Sequence, residues 1–292
     1  MHGIPEGNTV GGILAHAHDR LHLCHGTEGA KAITRAWLQE RLQLALPELD
    51  QQLVIDPGPL RRLLQDLDRL TAGEPLQYVL GQVHFHGLDL AVDPRVLIPR
   101  PETEELVDLI IRSLTFDPRA IVDVGTGSGC IALALKRAFP RASVMGIDAS
   151  ADALDVARAN GISNGLTVEW ALVDALGTGL VPRFAKAFSA PGNVVVSNPP
   201  YVPLRDKAGM EPHVVDHEPH LALFVADADP HIFYRAIASA AATTMNQGDE
   251  LWFEGHYLQL PQTAQVVKQA GFANPLMIDD LSGNHRFIRA CK

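Results

Sequence analysis

The chain has 292 residues, of which 47% are hydrophobic and 20% charged, and its formal net charge is −10. That length exceeds one small core and fits two domains. The acidic balance argues against a surface built mainly to hold duplex DNA or RNA, which needs clustered Lys and Arg.

The three cysteines, Cys24, Cys130 and Cys291, are far apart and have neither a disulfide framework's spacing nor a zinc ribbon's. The opening "MHGIPEGNTVGG" has no basic stretch followed by an apolar one, so no signal peptide is expected. No run approaches the roughly 20 apolar residues of a membrane span. A soluble, cytoplasmic protein is the expectation.

In chain order, residues 8 to 72 read as helical. "AITRAWLQERLQLAL" places Ile33, Trp37, Leu38, Arg41 and Leu42 at helix-like spacing, and "PLRRLLQDLDRLTAG" repeats Leu at 60, 63, 64, 67 and 70. Those leucines read as core packing. Beyond Gly73 the texture changes: "LQYVLGQVHFHGLDLAVDP" alternates apolar and polar residues, which predicts a β-hairpin linking two domains. "RPETEELVDLIIRSL" predicts a helix opened by Pro101, with Glu102, Glu104 and Glu105 in its first turn.

From residue 120 strands and helices alternate. "AIVDVG", "ASVMGID", "LTVEWALVD", "NVVVSN", "DELWFEG", "PLMIDD" and "RFIRAC" read as strands, with helices at "CIALALKRAF", "ADALDVARANGI", "FYRAIASAAATTM" and about 258 to 270. Such alternation predicts an α/β fold with a mostly parallel sheet covered on both faces. The expected boundaries are a helical domain over 1–73, a hairpin linker over 74–100 and an α/β domain over 101–292. Ligands of such sheets bind beyond the carboxyl ends of the strands, so the residues just after each strand are the candidates.

After the first strand comes "DVGTGSGCIALAL", with Gly125, Thr126, Gly127, Ser128 and Gly129 leading into a helix. Glycines there let a ligand touch the backbone, and the helix start offers free N–H groups. The pattern is G-x-G-x-G; the dinucleotide fingerprint would need a glycine or alanine where Cys130 stands. A purely structural turn would use the same glycines. Asp148 ends the next strand and can accept both hydroxyls of a ribose, or cap the following helix. Asp174, after the third strand, is an adenine-side candidate or a solvated loop acid. An adenosine ligand with no Lys or Arg in the glycine loop points to S-adenosylmethionine.

The fourth strand runs into Asn198, Pro199, Pro200 and Tyr201. The prolines fix φ and lack N–H groups, so the carbonyls of Asn198 and Pro199 have restricted directions. The Asn198 side-chain oxygen and a backbone carbonyl can accept both hydrogens of a planar –NH2 group, with Tyr201 packed on its plane. An amide or exocyclic nitrogen gains positive charge as it attacks a methyl group, and carbonyl oxygens stabilise that charge. A rigid strand-ending turn is the structural alternative.

"DVGTGSGCIALAL", "GID" and "NPPY" in this order resemble class I methyltransferases acting on planar amino groups. "PLQYVLGQVHFHGL", "VLIPRPETEEL" and "EPHLAL" with the later "FYRAI" are similar to the protein-(glutamine-N5) methyltransferases of the HemK/PrmC type, over about residues 74 to 292. "IPRPETE" resembles the branch that modifies peptide chain release factors. The resemblance implies a Rossmann-like, S-adenosylmethionine-dependent domain and a helical N-terminal domain that helps dock the factor. It implies methylation of the glutamine in the Gly-Gly-Gln loop of class I release factors; a monomer is expected, and the acidic chain makes a direct nucleic-acid substrate unexpected. By position, Gly125 to Gly129, Asp148 and Asn198 would contact the cofactor. Asn198, Pro199, Pro200 and Tyr201 would line the glutamine site, with Arg100, Glu102 and Thr103 in a loop beside it.

The chain departs from the family at Ala175, where an aromatic often follows the acid, at His86 in "FHG", and in "FVADADPH" after "EPHLAL". Alternatives are methylation of ribosomal protein L3, an adenine-N6 nucleic-acid methyltransferase, and an inert cofactor-binding protein docking on the translation machinery. The histidines at 16, 18, 22 and 25, and the run His213, Asp216, His217, Glu218 and His220, could be taken for metal ligands. With no paired carboxylates beside the first group, and a substrate-side loop expected at the second, no metal site is expected.

Overall fold

The computed structural model describes residues 8–43 and 52–292. Residues 44–51, within the stretch read as helical, and 1–7 lie outside the described residues. Two compact units emerge: the described residues up to Gln82 with Glu211–His217, and Val83–Met210 with Glu218–Lys292.

The first unit is helical. α1 (Val10–Leu42) starts at Thr9, whose side chain accepts from Gly12 N at 3.2 Å, and consists of two helical stretches meeting at Gly26 (φ 64, ψ 177). α2 (Pro57–Thr71) buries Leu60, Leu63, Leu67 and Leu70 against Ile13, Leu21, Trp37 and Leu38. α3 (Leu76–Leu80) is a short helix where the sequence pattern predicts hairpin. Pro75 supplies its entry, and Tyr78 and Val79 are its buried residues. The buried Asp66 carboxylate accepts from Trp37 Nε1 (3.1 Å) and Arg41 Nε (2.5 Å), and Arg41 also donates to the Val79 carbonyl (2.6 Å). α8 (Pro212–His217), numbered by its place in the chain, also belongs to this unit.

The hairpin follows as β1 (Gln82–Phe85) and β2 (Leu88–Ala91). In the second unit, α4 (Pro101–Ser113) precedes alternating strands and helices. These are β3 (Ala120–Val124), α5 (Cys130–Ala138), β4 (Ser143–Asp148), α6 (Ala151–Ser163), β5 (Glu169–Leu172), α7 (Leu180–Ala187) and β6 (Asn193–Ser197). β7 (Val202–Pro203), a 3₁₀ turn (Leu204–Gly209), α9 (His220–Leu223) and β8 (Phe224–Val225) lead to α10 (Ile232–Thr244). β9 (Glu250–Glu254), α11 (Leu260–Gln269), β10 (Ala273–Asp279) and β11 (His285–Cys291) complete the chain.

Seven strands form one sheet in the order β10-β11-β9-β6-β3-β4-β5. β3 pairs in parallel with β4 and β6, β4 with β5, and β6 with β9, whereas β11 is antiparallel to both β9 and β10. Period-two side-chain alternation feeds two cores. Val122, Val124 and Val195 join Phe184, Ile237 and Val267 on one face, and Ile121, Val194 and Val196 join Leu106, Ile131 and Phe85 on the other. Strand order reverses between β3 and β6, so the loops after these strands leave in opposite directions and open a crevice at their carboxyl ends.

Gly146, in β4, marks a close approach. A Cβ there would overlap the Trp170 ring and lie 2.9 Å from Thr126 Oγ1. Gly146→Ala is expected to destabilise the unit by about 1–3 kcal/mol through overpacking, read as a lower urea midpoint at unchanged slope.

Candidate active site

The crevice is built from backbone outward. Gly125 N and Thr126 N both donate to the Ile147 carbonyl, at 2.8 and 2.9 Å, which folds the glycine loop over the end of β4. Gly125, Gly127 and Gly129 have φ of 75°, 54° and 82°, the left-handed region where a side chain is strained. A Cβ on Gly127 would meet nothing within 4 Å, and one on Gly125 would lie 3.9 Å from the Asn198 carbonyl oxygen. The loop after β3 and the loop after β6 are thus neighbours. Ser197 Oγ reinforces this by donating to the Val124 carbonyl at 2.6 Å.

Beneath the loop, the buried Asp123 carboxylate accepts from Thr126 Oγ1 (2.5 Å) and Ala132 N (3.2 Å) through Oδ2. Burial pushes its pKa up to about 7. Asp148 accepts from Gly127 N through Oδ2 and from Ser150 N through Oδ1, each at 2.9 Å. Ser150 rather than Asp148 caps α6, accepting from Ala153 N. An ionised carboxylate has about four lone-pair sites, and with backbone N–H groups of Gly127, Ala149 and Ser150 on it Asp148 keeps capacity to accept from a hydroxyl. Desolvation raises the Asp148 pKa while its backbone hydrogen bonds oppose the rise. Asp174 lies two residues beyond β5, exposed, its Oδ1 accepting from Leu176 N at 2.9 Å. Val173 N donates to the Asp148 carbonyl at 2.9 Å, which keeps Asp174 on the same rim.

Across the crevice, Asn198 and Tyr201 are half-buried and Pro199 is buried. Tyr201 packs against the sheet core, its ring 6.1 Å from that of His256, and burial pushes its phenol up to about 12. β7 pairs in parallel with β8, so the chain leaving the two prolines is fastened at once. Asn198 Nδ2 donates to Thr103 Oγ1 at 3.2 Å, and Thr103 Oγ1 donates to Glu254 Oε2 at 2.8 Å.

Thr103 sits in the first turn of α4, buried, while Glu102 is half-buried and Arg100 precedes the helix. Arg100 Nη2 meets Glu218 Oε1 at 2.5 Å, and Ile98 N donates to Glu218 Oε2 at 3.1 Å. The loop carrying "IPRPETE" is therefore pinned from both sides by one wholly buried carboxylate.

The structure thus brings Gly125 to Gly129, Asp148, Asn198 to Tyr201 and Thr103 to one rim, with Arg100 and Glu102 in the flanking loop. Asp174 stands at the outer end. Sequence reasoning missed Asp123, Glu218 and Glu254. Their signals were an acid directly before the glycine loop, an acid opening "EPHLAL", and an acid ending the apolar strand "ELWFE". Among the described residues, no group of three or more His, Cys, Asp or Glu could hold a metal ion, and no helix is long and apolar enough to cross a membrane.

The parallel sheet with an antiparallel strand between β9 and β10, the glycine loop and the carboxylate ending β4 define an S-adenosylmethionine-dependent class I methyltransferase. The family model described as Methyltransferase small domain matches residues 105–217. The release factor glutamine methyltransferase of Flavobacterium psychrophilum is 37% identical over 245 residues, 82% of this chain and 84% of that protein. That of Bacteroides thetaiotaomicron is 37% identical over 248 residues, 83% and 84% of the two chains. That of Lactococcus lactis is 35% identical over 253 residues, 86% and 89%. This chain belongs to the release factor glutamine methyltransferase family.

Proposed function

We propose that this chain methylates the side-chain amide nitrogen of the glutamine in the Gly-Gly-Gln loop of class I peptide chain release factors. In this reading it works in the cytoplasm as a monomer, without a nucleic-acid substrate, and the helical unit helps dock the factor. The observation that carries the reading is the pairing of Asn198 with Thr103. With Nδ2 turned inward to Thr103 Oγ1 and Glu254, Asn198 presents Oδ1 as an acceptor beside the glycine loop.

The rim fits S-adenosylmethionine. Asp148 has acceptor capacity for ribose hydroxyls, Gly127 leaves open space where a side chain would stand, and the glycine loop carries no cation that a phosphate would demand. Gly125, Thr126, Gly127, Ser128, Gly129 and Asp148 would hold it, with Asp174 towards the adenine and Asn198 at the methyl end. When bound, the cofactor supplies an electrophilic methyl on a sulfonium sulfur, which keeps the S–C electron pair.

The glutamine amide is a weak nucleophile because its lone pair is delocalised. As its nitrogen forms the new N–C bond it becomes positive, and Asn198 Oδ1 with the Asn198 or Pro199 carbonyl would face its two hydrogens. Pro199, Pro200 and Tyr201 would hold the amide plane, with Arg100, Glu102 and Thr103 in the adjoining wall. One of the two hydrogens is then lost to water as a proton. Orientation in the crevice supplies the rest of the acceleration.

The test incubates the protein with methyl-labelled S-adenosylmethionine and a release factor, its Gln→Ala loop variant, ribosomal protein L3, or DNA. Label is expected on the release factor and lost in the variant. Label on L3 or DNA alone, or none at all, refutes the reading.

A further inference from the structure

The Thr103–Glu254 pair behind Asn198 has a direction, and the direction depends on one proton. A hydroxyl has one hydrogen. When Glu254 is a carboxylate it is acceptor-only, so the Thr103 hydrogen goes to Glu254 and Thr103 Oγ1 is left to accept. Asn198 must then turn its Nδ2 towards Thr103, at 3.2 Å, and its Oδ1 towards the crevice. When Glu254 is a neutral acid its own O–H donates to Thr103 Oγ1. The Thr103 hydrogen then points to Asn198 and favours the flipped amide, with Oδ1 turned inward and –NH2 facing the crevice. Two –NH2 groups would then oppose each other where an acceptor is needed.

We propose that Thr103 and Glu254 are positioning residues that set the facing of the Asn198 amide, and that the site accepts an –NH2 group only while Glu254 is ionised. The inference rests on the functional reading above for its substrate. Its geometric basis is independent of that reading: three side chains from α4, the loop after β6 and the end of β9 meet, Thr103 and Glu254 are buried, and Asn198 stands within hydrogen-bonding reach of both Thr103 and Glu254.

The charged and titratable groups facing Glu254 come from several elements. Arg286 of β11 stands near enough to favour the carboxylate, and is itself held by Asp280 at 3.2 Å. Glu102 of α4 disfavours it. The Tyr201 and Tyr234 phenols and the Cys130 thiol, all pushed upward by burial, stay neutral around pH 7. Tyr234 also donates its hydroxyl to the Glu254 carbonyl at 3.0 Å, fixing the end of the strand. Burial is the largest influence on Glu254 and brings its titration up to about 7. A group there is neutral below that pH and ionised above it, so the acceptor geometry is present at higher pH and lost as pH falls.

The test has two arms. In the first, the turnover number on saturating release factor is measured from pH 5.5 to 9 for wild type, Glu254→Gln, Thr103→Val and Thr103→Ser. Wild type is expected to gain about tenfold per pH unit below about 7 and to level off above it, as for one essential base. Glu254→Gln, isosteric and without a titrating proton, loses that limb. Thr103→Val breaks the line, lowers turnover by about 10²-fold and also loses the limb; Thr103→Ser recovers both. A limb intact in Thr103→Val would show that Glu254 acts through its charge or through its own hydrogen bond from Asn198 rather than through Thr103, and that result overturns the relay. So does a wild-type limb surviving in Glu254→Gln, or no wild-type limb at all.

In the second arm, the side-chain amide resonances of Asn198, identified by their loss in Asn198→Ala, are followed against pH without any methyl acceptor. They are expected to titrate in wild type and Thr103→Ser, but not in Glu254→Gln or Thr103→Val. Resonances that titrate in a protein that methylates no release factor refute the functional reading and keep the relay. A protein that methylates the factor while its Asn198 resonances ignore Glu254 refutes the relay and keeps the function.

Discussion

Asn198→Ala is expected to reduce methyl transfer to the release factor by at least about 10²–10³-fold, the scale seen when one preorganised polar group is removed from a site of developing charge. The substitution removes the side-chain oxygen that the proposed function sets opposite the substrate amide. Cofactor affinity should stay within about tenfold, roughly 1.4 kcal/mol, because Asp148 and the glycine loop are held by their own hydrogen bonds rather than by Asn198. Stability should change little: Asn198 is half-buried, and Thr103 keeps its bond to Glu254. Single-turnover transfer of labelled methyl, with calorimetric titration of S-adenosylmethionine, separates the two effects. Turnover like that of wild type in this variant removes Asn198 from its assigned role.

Glu218→Ala is expected to be the most damaging substitution away from the reacting groups. Its carboxylate is wholly buried and binds Arg100 at 2.5 Å and Ile98 N at 3.1 Å. Removing it leaves the Ile98 N–H buried without its acceptor and takes a charge-assisted bond from Arg100, which is 34% exposed and can partly rehydrate. An orphaned donor and a lost charged hydrogen bond together amount to about 3 kcal/mol. The loop that leads into Thr103 is then released, so turnover should fall as well, with Asn198 losing the partner that orients it. Urea unfolding gives the first quantity and turnover the second. An unfolding midpoint and a turnover both equal to wild type would show that the loop is held by something other than this pair. Glu218→Gln keeps the shape but only one of the two acceptor oxygens, its –NH2 opposing the other donor, and should fall between the two.

Local pattern carried much of the fold. Alternating apolar strands and 3.6-periodic helices marked the parallel sheet, and the strand ends marked the rim, because periodicity and turn chemistry are properties of neighbouring residues. The helix at Leu76–Leu80 escaped notice for the same reason: five residues are too few to display a period, and Pro75 and Gly81 bound it as tightly as they would a turn. α7, with only eight residues, was missed likewise.

The amino-acid sequence by itself determined the chemistry offered at the crevice. The glycines after β3, the carboxylate ending β4 and the amide held before two prolines are each written contiguously in the chain. Only the tertiary structure decided how these groups are supported. Glu254 lies 151 residues from Thr103, and Glu218 lies 118 from Arg100. No local pattern ties such residues together; their meeting is set by the order of strands in the sheet, with β9 beside β6 and β6 beside β3. An isolated acid at the end of an apolar strand is one residue among 34 acidic ones. Its significance comes from burial, which raises its pKa, and from the single hydroxyl hydrogen it shares with Thr103.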